Sequence, residues 1–352
     1  MTMKITFDGR EVPFEQGQTV LQAARDNGIY IPSLCYHRKT GPAGRCRLCV
    51  VEIKGMRGLQ TACTVVAADG MDVQTATPLV LDTRRMIVNL LLSSGQHNCI
   101  SCEQNSGCEL QDAAYRLGIE TPAFVIDEPQ LPKDDSSEMV VRDMRKCIQC
   151  GRCVAGCKSV VVNEVLEFEQ RGNDAKVVCD YDLPMAESTC VQCGECSQLC
   201  PVGAIIDKKS IGMGREWELK TVNTTCPYCG VGCQLTMHVD EAKNRIVKVT
   251  GREVLPNDGM LCVKGRYGFE FPSSPKRLTH PMIKKNGKHE RVSWDEALDY
   301  TADRIKEIVA RDGPGVFSAF GSGRITNENN YAIAKFTRAV IKTNNVDHCA
   351  RT

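Results

Sequence analysis

Residues 147–157 read CIQCGRCVAGC, and residues 190–200 read CVQCGECSQLC. Each run places four cysteines in the order C-x2-C-x2-C-x3-C, and the second repeats the first after a shift of 43 residues. A match at eight positions does not arise from composition alone. Thiolates spaced this closely on a tight loop converge on one point, which is what metal ligation requires. The rest of the 352-residue chain continues the theme, with 21 cysteines against 2 tryptophans, 8 tyrosines and 9 phenylalanines. Length suggests two or three domains, but the large side chains that normally fill cores are thin over most of the chain. Small domains short of apolar area are held together by disulfides or by metals. The start, MTMKITFDGREVPF, has no apolar stretch and no small-residue cleavage site, and the Arg84–Arg85 pair is internal, so no export signal is read. No apolar run approaches the ~18 residues of a membrane helix. A secreted disulfide scaffold is therefore set aside, and the thiols are expected to be reduced, in the cytoplasm, and available to metal. A net charge of +1 gives no argument for nucleic acid or an anionic membrane surface.

The repeated runs resemble the bacterial two-cluster ferredoxins, in which the fourth cysteine of each run ligates the other cluster. That resemblance implies one 4Fe-4S set of Cys147, Cys150, Cys153 and Cys200, and another of Cys190, Cys193, Cys196 and Cys157. Pro201 follows the second run as the pattern requires, while Lys158 replaces proline after the first, at a non-ligand position. Near the start, MKITFDGREVPF alternates around an Asp8-Gly9 turn and predicts a hairpin. Thr19 and Gln22 form a capping box for a helix ending near Gly28. Cys35, Cys46, Cys49 and Cys63 follow as C-x10-C-x2-C-x13-C. Loop-borne thiolates against a small sheet suit a 2Fe-2S ferredoxin, though the spacing is not the plant type, and a zinc site is the alternative. The spacing is similar to the N-terminal ferredoxin domain of the complex I large iron–sulfur subunit, of iron-only hydrogenases and of NAD-linked formate dehydrogenases.

A helix predicted over Leu79–Leu92 leads to Cys99, Cys102 and Cys108, with His97 just before them. The same families carry a 4Fe-4S cluster on one histidine and three cysteines here. Their histidine lies four residues before the first cysteine, a position occupied by Gly95 in this chain. His97 is taken as the fourth ligand because imidazole is the nearest available donor, and a solvated loop histidine is the competing reading. Residues 119–137 are rich in proline and acid and read as a linker. Farther on, Cys226, Cys229, Cys233 and Cys262 give C-x2-C-x3-C-x28-C, with Lys264 two residues later. This looks like the N-terminal 4Fe-4S domain of molybdenum or tungsten bis-pterin oxidoreductases, a resemblance that implies an electron-relay role for Lys264 beside the pterin. An ordinary surface lysine is the competing reading. Cys179 and Cys349 remain unassigned, and Cys179 is expected to pack as a small apolar group.

Ser293 and Glu296 then cap a helix whose apolar face is Trp294, Ala297, Leu298, Ile305 and Ile308. GVFSAFGSG reads as a buried strand and glycine turn, followed by a further helix, a pattern that suits a doubly wound α/β layer. Gly321 and Gly323 would let a cofactor pyrophosphate approach the backbone, with a plain loop the alternative. The helical pattern through Tyr331, Ala334, Phe336, Ala339 and Val340 runs into a segment in which no closing strand is read. The elements SWDEAL, GSGRITNENNY and NNVDHCAR have close counterparts in formate dehydrogenases.

The fold class expected is multidomain α+β. Residues 1–78 form a β-grasp 2Fe-2S ferredoxin domain, and 79–118 a 4Fe-4S module with one histidine and three cysteines as ligands. After the linker, residues 138–209 form two 4Fe-4S ferredoxin-type domains and 219–275 a 4Fe-4S domain of the Mo/W bis-molybdopterin guanine dinucleotide type. Residues 276–352 form the truncated start of an α/β molybdopterin oxidoreductase domain. One 2Fe-2S and four 4Fe-4S clusters in one chain make sense as a wire. The resemblance implies electron passage between a Mo or W bis-pterin site that interconverts formate and CO2 and a flavin/NAD(P) subunit or ferredoxin. The alternatives are the NADH-quinone oxidoreductase large iron–sulfur subunit and a standalone electron-transfer subunit without catalysis. An iron-only hydrogenase would show its own catalytic cysteines. In the formate dehydrogenases a metal-ligating cysteine or selenocysteine stands four residues after the cysteine of CAR, which from Cys349 is position 353. The chain is accordingly expected to be the part of a formate dehydrogenase catalytic subunit that precedes an in-frame selenocysteine codon, and by itself not to oxidise formate. Sequencing the DNA checks this: TGA followed by an open frame is expected after the Thr352 codon, and any other codon refutes it.

Overall fold

The computed structural model describes residues 3–125 and 131–349. Two compact units divide the chain, one of residues 1–221, 238–248 and 261–263, the other of residues 222–237, 249–260 and 264–352. Among the described residues no helix is long and apolar enough to cross a membrane.

In the first unit, alternation along β1 (Met3–Phe7) and β2 (Arg10–Phe14) sends Ile5, Phe7, Val12 and Phe14 to a single buried face. Asp8 and Gly9 close the hairpin with φ of 50° and 85°, the positive values a two-residue turn needs to match strand twist. Helix α1 (Val20–Asp26) begins with the expected capping box: the Gln22 N–H donates to Thr19 Oγ1 at 3.2 Å, and the Thr19 N–H to Gln22 Oε1 at 2.8 Å. Strands β3 (Val50–Ile53), β4 (Gln60–Thr61) and β5 (Met71–Gln74) complete a mixed sheet in the order β2-β1-β5-β3-β4, with β5 parallel to β1. Val20 and Leu21 of α1 pack with Ile5, Phe7, Val51 and Val73 in a core that includes Cys49 and Cys63. Helix α2 (Pro78–Ser93) agrees with its predicted span to one residue at each end, and α3 (Glu109–Arg116) follows Cys108 directly.

Next come β6 (Lys133–Asp134) and β7 (Val140–Asp143), then α4 (Arg152–Ala155), the hairpin of β8 (Leu166–Glu169) and β9 (Lys176–Cys179), α5 (Glu195–Leu199) and β10 (Ile205–Asp207). Strands β10, β7 and β6 form one sheet in that order. The 43-residue repeat is visible in the backbone. Gly151 and Gly194 precede α4 and α5 at φ of 80° and 74°, where a Cβ would be strained. The acidic stretch read as linker does more than connect. Residues 126–130 of it lie outside the described residues, but Lys133–Asp134 joins the sheet, and Asp134 accepts from Arg142 at 3.0 and 2.7 Å and from the Met185 N–H at 3.0 Å. Its two paired residues were too few to show a period.

The second unit contains the hairpin of β14 (Met282–Lys285) and β15 (Lys288–Arg291), helix α7 (Trp294–Asp312), β16 (Ala319–Gly321), helix α8 (Asn327–Lys335) and β17 (Val346–His348). Between the regions already described run β11 (Lys220–Thr225), β12 (Gln234–Asp240) and β13 (Arg245–Gly251), a three-stranded sheet in that order, followed by α6 (Val263–Tyr267). β16 pairs in parallel with β17, and α8 lies between them in sequence, the strand–helix–strand unit of an α/β layer. This corrects the expectation that no strand closes the segment after Val340; three residues carry too little alternation to be read. The face predicted for α7 is also not buried: Trp294 is 68% and Leu298 61% exposed, and no residue of the helix is buried. The helix is set by local signals, the Glu296 N–H donating to Ser293 Oγ at 3.1 Å, rather than by packing.

Burial opposes ionisation of Asp134, but its hydrogen bonds from Ser136 and Arg142 overcome this and hold its pKa at about 2 against an ordinary 3.8. The stabilisation it supplies is therefore present above the ordinary carboxylate pKa and lost as pH falls from about 4 toward 2. Asp134→Ala is expected to cost roughly 2–4 kcal/mol, read as a lower urea midpoint at neutral pH, with the difference from the native chain closing in acid.

Candidate metal centres

Cys35, Cys46, Cys49 and Cys63 reach one place from the loop after α1, the approach to β3 and the loop after β4, and all four are buried. The Cys35 thiol is in hydrogen-bond contact with those of Cys46 and Cys63, and Cys49 with Cys63. Those contacts lower the pKa of Cys35 and of Cys49, while their partners Cys46 and Cys63 are pushed up. Four adjacent buried thiols cannot all ionise unaided; a multiply charged cation would let them do so. Amide donors already face the sulfurs, the Leu34 N–H at 3.4 Å from Cys46 Sγ among them. The set fits a small anionic metal–sulfur group held by four thiolates.

In the second group Gly95 and His97 lie side by side. A Cβ at Gly95 would lie 2.7 Å from the Arg145 carbonyl oxygen and 3.1 Å from His97 Nε2, so there is no room for a side chain there, and the His97 ring fills the adjoining space. His97 Nε2 lies 3.0 Å from the Leu91 carbonyl oxygen. With Nε2–H donating, Nδ1 keeps its lone pair, the arrangement that orients metal-bound histidines. Burial disfavours the protonated ring, which keeps that lone pair free. The Cys99 N–H donates to the His97 carbonyl at 2.9 Å, and Lys146 Nζ lies 3.8 Å from Cys102 Sγ, close enough for its charge to reach His97 and Cys99 as well. Burial pushes Cys108 up to about 11. Gly203 leaves space for Cys102, whose Sγ would be 2.8 Å from a Cβ there.

In the repeated runs the fourth cysteine of each lies close to the first three of the other. Cys147, Cys150 and Cys153 each feel the charge of Cys200, whereas Cys190 and Cys196 feel that of Cys157. Burial drives Cys147 to about 11 and Cys150 to about 12, and Cys153 and Cys196 far up. The Gln149 N–H is 3.4 Å from Cys147 Sγ, and the Gln192 N–H occupies the equivalent place at 3.3 Å from Cys190 Sγ. Cys157, Cys190, Cys193 and Cys196 line one cavity with Val140, Leu166 and Met185. Cys153 also senses Cys196, so the two sets adjoin.

In the second unit the Cys226 N–H donates to the Cys233 carbonyl at 2.8 Å, closing the loop that carries exposed Cys229. The Tyr228 hydroxyl of that loop donates to the Gly268 carbonyl, and the Gly268 N–H to the Lys264 carbonyl at 2.9 Å, tying the loop to the helix that carries Lys264. Lys264 is exposed, as an ordinary surface lysine would be, and so is Cys262, two residues earlier. A Cβ at Gly321 would lie 2.4 Å from Asn330 Oδ1. The Asn330 side chain bridges the Ser322 N–H and carbonyl at 3.1 and 3.0 Å, so this glycine makes room for Asn330. Gly323 borders open space, with its carbonyl near Gly230 of the cysteine loop. Cys179 is fully buried in β9 and pushed up to about 12 by burial, and Cys349 Sγ lies 3.4 Å from Ser322 Oγ. Among the described residues no three donors close on a single bare ion. Spacing rules do not find Arg84, Arg152 or Glu195, which are buried and lie beside or between these cysteines; charge inside a cysteine run is the signal that points to the last two.

Five family models match in succession: a 2Fe-2S iron-sulfur cluster binding domain over residues 1–78 and the NADH-ubiquinone oxidoreductase-G iron-sulfur binding region over 84–123. A 4Fe-4S dicluster domain follows over 146–204, then the molybdopterin oxidoreductase Fe4S4 domain over 219–274 and molybdopterin oxidoreductase over 277–352. A G-type subunit of the NADH-quinone oxidoreductase of Rhizobium meliloti is 38% identical, and the alpha subunit of the NADPH-Fe(3+) oxidoreductase of Geobacter sulfurreducens 34%; each alignment takes in 99% of this chain and 40% of the relative. A Staphylococcus aureus protein provisionally named as a formate dehydrogenase is 31% identical over 99% of this chain and 39% of its own. The chain thus spans about 40% of the length of these relatives. Among solved structures, a chain of an NAD+-reducing NiFe hydrogenase in the H2-reduced state matches with a TM-score of 0.58 and 32% identity, over 61% of this chain and 92% of that one.

Cys200→Ser is expected to remove the reduced-state EPR signal of the first-run set together with about four iron atoms, sparing the second, and Cys157→Ser to do the reverse. Losses in the opposite halves would refute the exchange.

Proposed function

From the premise that these domains match the family of the NADH-quinone oxidoreductase G-type subunits and the molybdopterin oxidoreductases, we propose that the chain is the electron-conducting part of a formate dehydrogenase catalytic subunit. Cys35, Cys46, Cys49 and Cys63 hold one 2Fe-2S cluster. Four 4Fe-4S clusters are held by His97 with Cys99, Cys102 and Cys108, by the two exchanged sets of the repeat, and by Cys226, Cys229, Cys233 and Cys262. Each cluster, when bound, accepts or releases one electron at a potential set by its ligands and surroundings. The protein's own share is to bury most thiols of the first unit at least in part, to aim amide N–H groups at several of the sulfurs and to hold the two sets of the repeat next to one another. The observation that carries the reading is the exchange of Cys157 and Cys200 between the runs, which supports a pair of adjoining clusters rather than separate sites.

Electrons pass between a Mo or W bis-pterin centre and a flavin/NAD(P) subunit or ferredoxin, in the reduced, cytoplasmic setting that free thiols require. Lys264 relays at the pterin end, and the turn at Gly323 faces the cofactor. A second reading, the large iron–sulfur subunit of an NADH-quinone oxidoreductase, is favoured by the 38% identity to the Rhizobium protein of that name. Iron analysis should return about 18 atoms per chain. In the full-length enzyme Mo or W and bleaching of cluster absorbance by formate are expected; cluster reduction by NADH without Mo or W would establish the second reading, and colourless or zinc-loaded protein would end both.

A further inference from the structure

Arg152 and Glu195 occupy equivalent places in the repeat, each one residue before the third cysteine of its run and 43 residues apart. They carry opposite charges, and both are buried, at 3% and 2% exposure. Each pairs with a different upstream segment. The Arg152 guanidinium forks onto Glu109, Nη1 to Oε1 at 2.5 Å and Nη2 to Oε2 at 2.7 Å. Glu109 opens α3 directly after Cys108, and its N–H donates to the carbonyl of Pro201, the residue after Cys200, at 2.8 Å. Glu195 instead accepts from Lys39, whose side chain is 3% exposed and which lies in the loop between Cys35 and Cys46. Arg45 of that loop stacks over Phe168 of β8 at 4.2 Å.

Burying Arg152, Lys39 and Glu195 costs more solvation than burying apolar residues of the same size, so net stability is a poor reason to retain them; specifying register is the best-attested use of such pairs. Opposite signs at equivalent positions do specify register. Were the upstream segments exchanged, Lys39 would face Arg152, two buried cations, and the half-exposed Glu109 would face buried Glu195, so that like charges would meet in both places. We infer that the Arg152–Glu109 and Lys39–Glu195 pairs are a charge key that assigns each upstream metal group to one half of the repeat, Cys108 to the first-run set and the Cys35–Cys46 loop to the second, and so orders the electron path. The key also leaves an electrostatic difference between the halves. Arg152 Nε is buried with no acceptor, beside Cys150 and Cys200, and a cluster sulfur is the acceptor it lacks. The Arg152 charge, which reaches Cys150 and Cys200, favours the reduced, more negative state of the first-run set.

The inference rests on the cysteine assignment above, and its test separates the two. In the iron-loaded chain, amide hydrogen exchange over residues 36–48 is expected to rise about tenfold or more in Lys39→Glu and in Glu195→Lys and to return toward native in the double exchange, with residues 108–118 unaffected. Glu109→Lys should loosen residues 108–118 and leave 36–48 alone. Unchanged exchange in the single variants, equal loosening of both segments, or no recovery in the double variant would overturn the key. Where a reversal does not fold, Lys39→Met and Glu109→Gln remove one charge at similar bulk, and native exchange in both would overturn it equally. Arg152→Gln should lower the midpoint potential of the first-run set and Arg152→Lys should restore it; an unmoved potential rejects the tuning role. Iron content, measured on the same samples, reports on the cluster assignment independently of docking.

Discussion

A thiol enclosed by protein keeps its proton, because the bare thiolate has lost its water and gained nothing in return. Burial is the chief reason that Cys150 rises to about 12 and Cys108 to about 11. Groups of four such thiols in mutual contact are tolerable in a neutral state and become anionic only together with a strongly charged cation. The architecture of the first unit follows from that constraint. Many of its cysteines, Cys35, Cys46, Cys49, Cys63, Cys147, Cys150, Cys190 and Cys193 among them, sit outside helices and strands, where amides such as those of Leu34, Gln149 and Gln192 face sulfur. The β1–β5 sheet and the β6–β7–β10 sheet are scaffolds that bring such loops to a point. Their cores are small, and Cys49 and Cys63 belong to the core of the first.

Positive charge is distributed to match. Lys146 stands beside Cys102, Arg84 is buried near enough to Cys49 to feel its charge, and Arg152 lies between Cys150 and Cys153. Arg84 and Arg152 are buried and Lys146 is half-buried, so water and salt screen them little, although Arg152 is also paired with Glu109. Where one run has Arg152, the other has Glu195. Two segments that share one pattern are thereby made unequal, which matters for a conductor: identical neighbouring centres give no preferred order, and charged neighbours do.

The Thr19 capping box, the Asp8-Gly9 hairpin and the span of α2 were legible because each is a local pattern, spaced along the chain as it is spaced in the fold; that Cys200 lies near the first run and Cys157 near the second followed only from the resemblance of the repeat. His97 was legible only in part. Its spacing departs from that of the resembling families, and the steric reason, the Arg145 carbonyl against Gly95, comes from a segment fifty residues downstream. Asp134 was hidden inside a run whose composition says linker, since its partners Arg142 and Met185 lie outside that run. GVFSAFGSG was read as a buried strand, yet β16 has no buried residue and Phe320 is 74% exposed, and the apolar stripe of α7 is equally uncovered. Periodicity states which residues share a face, not whether another element covers it, and Trp294 and Leu298 are exposed.

By itself the sequence determined where the cysteines stand and how they are spaced, because that spacing is local. It determined the repeat and the order of the modules for the same reason. What only the tertiary structure decided is how the groups meet: Glu109 on Arg152, Lys39 on Glu195 and the His97 ring beside Gly95. The two ion pairs join residues far apart in the chain, and the space beside Gly95 is bounded by a distant carbonyl. Their energies depend on burial and distance, quantities that exist only once the backbone has closed around them.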